Sequence, residues 1–171
     1  PHPYVVGFSM AGDEAGFPAH DFVEVFEIAA GAGLGCTIHA GEWAGAESVR
    51  AALELPITRI SHGVRAFEDP SLVGELAARG IVLECCPTSN VVLGVYPSYE
   101  EHPLPQLRAA GVKVTLGSDD PPYFGATIEG EYGVCAACFG FGEDALREIT
   151  RTALDAAFCG EELKAVLRGR L

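Results

Sequence analysis

The sequence predicts an α/β fold built on a parallel sheet, and three observations carry that expectation. Short apolar runs alternate with amphipathic stretches of helical period along the whole chain. The apolar runs are nearly continuous, as in strands buried on both faces. Polar and ionisable residues gather where those runs stop.

The elements follow in order. YVVGFSM (4 to 10) reads as a strand, and FPAHDFVEVFEIAAGAG (17 to 33) as a helix closed by glycines. GCTIHA (35 to 40) is the second strand, and GAESVRAALEL (45 to 55) repeats its apolar residues at helical spacing. TRISHG (58 to 63) precedes DPSLVGELAARG, where Asp69 is an N-cap, Pro70 the first helical residue and Gly80 the stop. IVLECC (81 to 86) leads into a long loop containing Pro and Ser, then a helix around LPQLRAAG. VKVTLGS (112 to 118) is the fifth strand, and helical segments at 127–139, 143–157 and 160–169 finish the chain. This alternation leaves two architectures, a doubly wound sheet or a (β/α) barrel.

Composition narrows the function. A chain of 171 residues suffices for one domain with a sizeable core. A net charge of −13 argues against nucleic acid or an anionic membrane as partner. The apolar stretches are too short and too interrupted for a membrane span. PHPYVVGFSM has no basic region before its apolar run, so no signal peptide is expected. Cys85 and Cys86 are adjacent in one apolar run and Cys36 lies in another, as in reduced thiols of a cytoplasmic protein. No G-x-G-x-x-G follows the first strand and no G-x-x-x-x-G-K-[ST] occurs, so nucleotide-binding loops of those kinds are not supported. The chain opens without Met and almost at a strand, so a removed start or a fragment of something longer is expected.

The strand ends carry the chemistry. The first strand runs into Gly12, Asp13 and Glu14, and the second into His39 and Glu42. The third reaches His62, the fourth Glu84 and then CPTSN, and the fifth Asp119 and Asp120. Parallel strands deliver all these ends to one rim, where α/β proteins build their sites. Imidazole and carboxylate suit zinc, which keeps one position for water in catalytic sites. A cation would also offset the repulsion between Asp119 and Asp120, one binding it and the other accepting the water's proton. Glu42, three residues after His39, reaches the same mouth as a general acid. CAAC (135 to 138) reads as core: Val134 stands where zinc deaminases of the P-C-x-x-C type have Pro, and His39 to Glu42 is too long for H-x-E. His20 and His102 read as surface or loop-anchoring residues, and CPTSN as shaping the pocket.

Taken together, MAGDE (10 to 14), HAGE (39 to 42), SHG (61 to 63), CPTSN (86 to 90) and SDDPPYF (118 to 124) resemble the adenosine deaminase family. The resemblance covers nearly the whole chain and implies the C-terminal portion, about strands four to eight, of a (β/α)8 TIM-type barrel. It implies zinc bound by His39 and Asp119, and protonation of purine N1 by Glu42. It assigns His62 and Asp120 to the zinc-bound water that attacks C6, and Gly12 and Asp120 to contact with the purine. The family's first strand supplies two further His ligands from a His-x-His pair that this chain lacks, since His2 is followed by Pro3 and Tyr4.

The expected function is therefore zinc-dependent deamination of a 6-aminopurine nucleoside, adenosine to inosine and ammonia. MAGDE is taken to favour the nucleoside. The alternatives are a relative acting on aminodeoxyfutalosine or adenine, and a non-catalytic half-barrel that only binds. As half a barrel, residues 1–171 are expected to be inactive alone and to pair with the missing N-terminal half or with another copy of the chain.

Overall fold

All five strands of the computed structural model run parallel, and their order in the sheet is their order in the chain. The structure describes His2 and residues 4–171; Pro1 and Pro3 of the opening PHPYVVGF lie outside the described residues. The strands are β1 (Gly7–Met10), β2 (Gly35–Ala40), β3 (Arg59–His62), β4 (Val82–Cys85) and β5 (Lys113–Leu116). Between and after them come α1 (Val23–Gly31), α2 (Ala46–Ala52), α3 (Pro70–Arg79), α4 (Pro87–Val92), α5 (Leu104–Ala109), α6 (Pro121–Phe124), α7 (Ile128–Ala137), α8 (Glu143–Ala156) and α9 (Glu161–Arg168).

Local chemistry sets these bounds. Asp69 caps α3 by accepting from the Ser71 and Leu72 N–H groups, Pro70 takes the first turn, and Gly80 ends the helix in the left-handed region. The helix expected over 17–33 starts later, because Pro18 enters in extended backbone and a 3-10 turn (Ala19–Phe22) precedes α1. The loop after β4 contains a helix that was not expected. Pro87 opens α4, a position where its missing N–H is not needed, although Thr88, Ser89 and Asn90 are weak helix formers.

Alternation divides the sheet into two faces. Ile38, Ile60, Leu83 and Val114 join Phe26 of α1, Val49 of α2, Leu72 and Leu76 of α3, Leu107 of α5 and Ile149 of α8 in one buried core. The other face is polar. Glu84 accepts from Thr37 Oγ1 at 3.0 Å and Ser61 Oγ at 2.9 Å, and Arg59 Nε lies 3.3 Å from Glu84 Oε1 without hydrogen-bond alignment. The Arg59 guanidinium stacks 3.7 Å over the Phe158 ring, which also lies against the bare backbones of Gly7 and Gly35. Apolar side chains remain uncovered: Val5, Val6 and Ile28 near β1, and Leu163 and Val166 on α9, which packs on α8.

Histidine 102 anchors the segment between α4 and α5. It is buried, as is Asn90, and its ring contacts Tyr96 and Phe139. Burial, followed by the nearby His62, lowers its pKa to about 4, so the ring is neutral at pH 7. All six cysteines are free; Cys138 of CAAC is exposed, whereas Cys135 is buried in the core as expected.

Two outcomes follow from this packing. A Cβ on Gly35 would stand 2.3 Å from Phe158, so Gly35→Ala should cost about 1–3 kcal/mol, whereas Gly74→Ala, in open space within α3, should gain up to about 1 kcal/mol. Urea-unfolding midpoints of the two variants should move in opposite directions. The second outcome concerns pH. The folded pKa of His102 is below its unfolded value near 6.5, so its contribution is complete above that value and is lost as pH falls towards 4. Between pH 7 and pH 5 the wild type should lose about 2 kcal/mol that a His102→Gln variant does not lose, as read from the difference in their denaturation curves.

Candidate active site

The C-terminal ends of β2 and β3, with His39 and His62, and the loops after β2 and β5, with Glu42 and Asp119, bring imidazoles and carboxylates into one cluster. His62 Nε2 lies 3.5 Å from Glu42 Oε2 and 3.8 Å from Asp119 Oδ2. The His39 and His62 rings are 5.3 Å apart, and Ser89 Oγ donates to Asp119 Oδ2 at 2.6 Å. The side chain of His62 is buried and that of Glu42 nearly so, whereas Asp119 is an exposed residue with a side chain 20% accessible.

Hydrogen bonding fixes both tautomers. His39 Nδ1 is 3.3 Å from the Met10 carbonyl, which can only accept, so the proton sits on Nδ1 and Nε2 keeps a lone pair fit for a metal. For His62 the assignment starts three hydrogen bonds away, at Leu104. The Leu104 N–H donates to His102 Nδ1, so His102 Nε2–H donates to Asn90 Oδ1 at 3.1 Å. The Asn90 amide N–H then donates to His62 Nδ1 at 3.3 Å, leaving the His62 proton on Nε2, facing Glu42 and Asp119. Burial, with His39 adding to it, holds His62 well below the usual histidine range against the opposing pull of Asp119. Burial first, then the Asp119 and Glu14 carboxylates, raises Glu42 to about 7, so it retains a proton near neutrality.

Backbone strain marks the same place. Among the described residues, the non-glycine positions with positive φ are His62 at 61° and Asp119 at 54°. Such conformations persist where surroundings enforce them, and they cluster at functional sites. Asp120 is exposed beside the cluster, and its carbonyl accepts from Tyr123 and Phe124 at the start of α6. Gly12, at φ 135°, borders a cavity of about 360 Å³ shared with Met10, Phe17 and His39, and open space lies where its Cβ would stand. A larger hollow of about 610 Å³ lies by the opposite strand ends, lined by Gly35, Val82 and Lys113, away from the cluster.

Glu84 stands level with His39 in the strand register, through Ser61, as its place at the strand end implied; its carboxylate reaches back to Thr37, two residues before His39, as well as to Ser61. Three supporting residues escaped sequence reasoning in their roles: Ser89 and Asn90, visible within CPTSN, and His102, which carries no local signal of a partner 12 residues away. A nitrogen or sulfur atom of His62 and Cys86 and an oxygen of Asp119 lie within 4.8 Å of one another. Burial holds the Cys86 thiol far above its ordinary range, and its Sγ lies 3.8 Å from the Glu84 carbonyl. His39, with a lone pair on Nε2, and the Asp119 carboxylate are donor types that zinc accepts.

Comparison with known proteins gives the family. The adenosine deaminase family model matches residues 2–171. The chain is 55% identical over 171 residues to an adenine deaminase of Chelativorans sp. and 54% identical to one of Mesorhizobium japonicum, covering 99% of this chain and 53% of each relative. The chain thus spans about half the length of the curated relatives it matches. Among solved structures, the adenine deaminase of Arthrobacter aurescens superposes with a TM-score of 0.90 at 34% identity, covering 95% of this chain and 50% of that one. An amidohydrolase of Burkholderia ambifaria, solved with bound Zn, gives 0.87 at 27% identity over 96% of this chain and 46% of that one. The α/β fold with its parallel sheet is a fragment of the deaminase barrel, and the chain belongs to the adenosine deaminase family.

Proposed function

We propose that this chain is the C-terminal part of a zinc-dependent aminohydrolase that replaces the 6-amino group of adenine with oxygen. The cluster of Glu42, His62 and Asp119 carries the reading: a carboxyl raised to about 7 beside a neutral histidine and a carboxylate is a proton-handling set. The free base is favoured over the nucleoside that MAGDE was taken to favour, because the Chelativorans, Mesorhizobium and Arthrobacter relatives are named adenine deaminases.

His39 and Asp119 would hold the zinc, with two further His ligands from outside this chain. Zinc, when bound, would act as a Lewis acid that makes water nucleophilic at neutral pH. Glu42 keeps a proton to deliver to ring N1, which makes C6 more electrophilic. His62, with its proton held on Nε2 by Asn90, orients the attacking water, and Asp120 takes a proton from it. The backbone at Gly12, with no side chain, lets the planar base lie against the cavity wall.

In the full-length gene product that contains this chain, Glu42→Gln and Asp120→Asn should each lower kcat by about 100-fold or more with zinc retained, while His39→Ala should lose zinc by elemental analysis. Adenine should be turned over in preference to adenosine and aminodeoxyfutalosine; equal rates on all three, or near-wild-type turnover in the variants, would remove the assignment. A full-length protein that binds purines without releasing ammonia would instead be a binding module. Residues 1–171 alone should be inactive and bind zinc weakly, since two protein ligands fall short of the three usual in catalytic zinc sites. Light scattering should find the chain associated through its open sheet edges, and a fully zinc-loaded active monomer would contradict this.

A further inference from the structure

We propose that Glu14 is a positioning residue for Glu42, a role that rests on the reading of Glu42 as the proton donor. The carboxylate of Glu14 receives an unusual set of donors from the segment that carries Glu42. Its Oε2 accepts from the Gly41 N–H at 2.6 Å and from the Ser48 hydroxyl. Its Oε1 accepts from the N–H groups of Glu42 and Ala44, both at 2.9 Å, and from that of Trp43.

Four successive backbone N–H groups converging on one point form an anion-binding concavity, and here the anion is built into the chain. Gly41 makes the bend possible at φ 66°, and a Cβ there would stand 2.3 Å from Val49. An ionised carboxylate offers about four lone-pair sites and no donor, whereas a glutamine would turn an NH2 towards N–H groups. The clamp holds the amide of Glu42 itself and those on both sides of it, so the backbone from which the Glu42 side chain starts is fixed. Glu14 also borders the 360 Å³ cavity beside Gly12 and Asp13. One carboxylate therefore ties the cavity wall to the acid that must reach into it, and the Glu42 carboxyl arrives 3.5 Å from His62.

A plain structural staple and a positioning residue make different predictions in the full-length gene product. In Glu14→Gln, amide hydrogen exchange at residues 41–44 should accelerate. Turnover of adenine should fall by about 100-fold with KM changed by no more than about twofold. The decisive readout is the double variant: Glu14→Gln added to Glu42→Gln should cost nothing further, because the group being aimed is already gone. Ser48→Ala removes one donor and leaves four; it should lower kcat more mildly, again only when Glu42 is present. Unchanged exchange at 41–44, or full additivity of the losses in the Glu42→Gln background, would overturn the role. A wild type inert towards adenine and adenosine, with exchange still accelerated in Glu14→Gln, would remove the deaminase reading while leaving the clamp on residues 41–44 intact.

Discussion

A carboxylate within the sheet, Glu84, is the interaction on which the rest of the structure depends. The face of the sheet opposite the helices carries Thr37, Arg59 and Ser61, and polar groups taken from water must find partners there. Glu84 on β4 accepts from β2 and β3 and faces the guanidinium of Arg59, so three strands are linked through one side chain. His39 follows Thr37 by two residues and His62 follows Ser61 directly, so the depth at which Glu84 ties the strands sets the height at which both imidazoles emerge. Removing the carboxylate would leave the half-buried Arg59 without its counter-charge, the costlier half of a broken ion pair.

Above that layer the site is held under strain. Left-handed backbone at a non-glycine residue costs on the order of 1–3 kcal/mol, and His62 and Asp119 both adopt it. Each has its own restraint, Asn90 on His62 and Ser89 on Asp119, and both restraints stand on the short helix α4. Helix α4 is itself secured by α7, where the buried carboxyl of Glu131 accepts the Thr88 N–H at 3.2 Å. A helix of six residues thus supports the two strained positions of the cluster, which explains why weak helix formers are tolerated in it: their side chains are needed for hydrogen bonds.

Much of this was legible in the sequence, and the limits have physical causes. The strand positions, the capping of α3 and the gathering of His39, Glu42, His62 and Asp119 follow from periodicity and from parallel topology, which are local or combinatorial rules. Helix α4 was missed because propensity argues against it and tertiary hydrogen bonds override propensity. Glu84 lies level with His39, as its strand end implied, but its partners Thr37 and Ser61 belong to other strands, and sequence alone does not state which strands pair. Glu14 looked like one more acid at a strand end; that it closes on amides 27 to 30 residues later is a property of three-dimensional folding alone.

The contact of Phe158 with Gly7 and Gly35 has a consequence for how the molecule comes together. Each ladder of the sheet joins strands that are neighbours in sequence, so structure can grow one strand–helix unit at a time, as in repeat proteins. Phe158 is different, because it reaches across nearly the whole chain to β1. Loops of that length close late, after the local units have formed. Its aromatic ring therefore acts on the lifetime of the assembled sheet more than on the speed of its assembly: a latch set last is the first to limit escape.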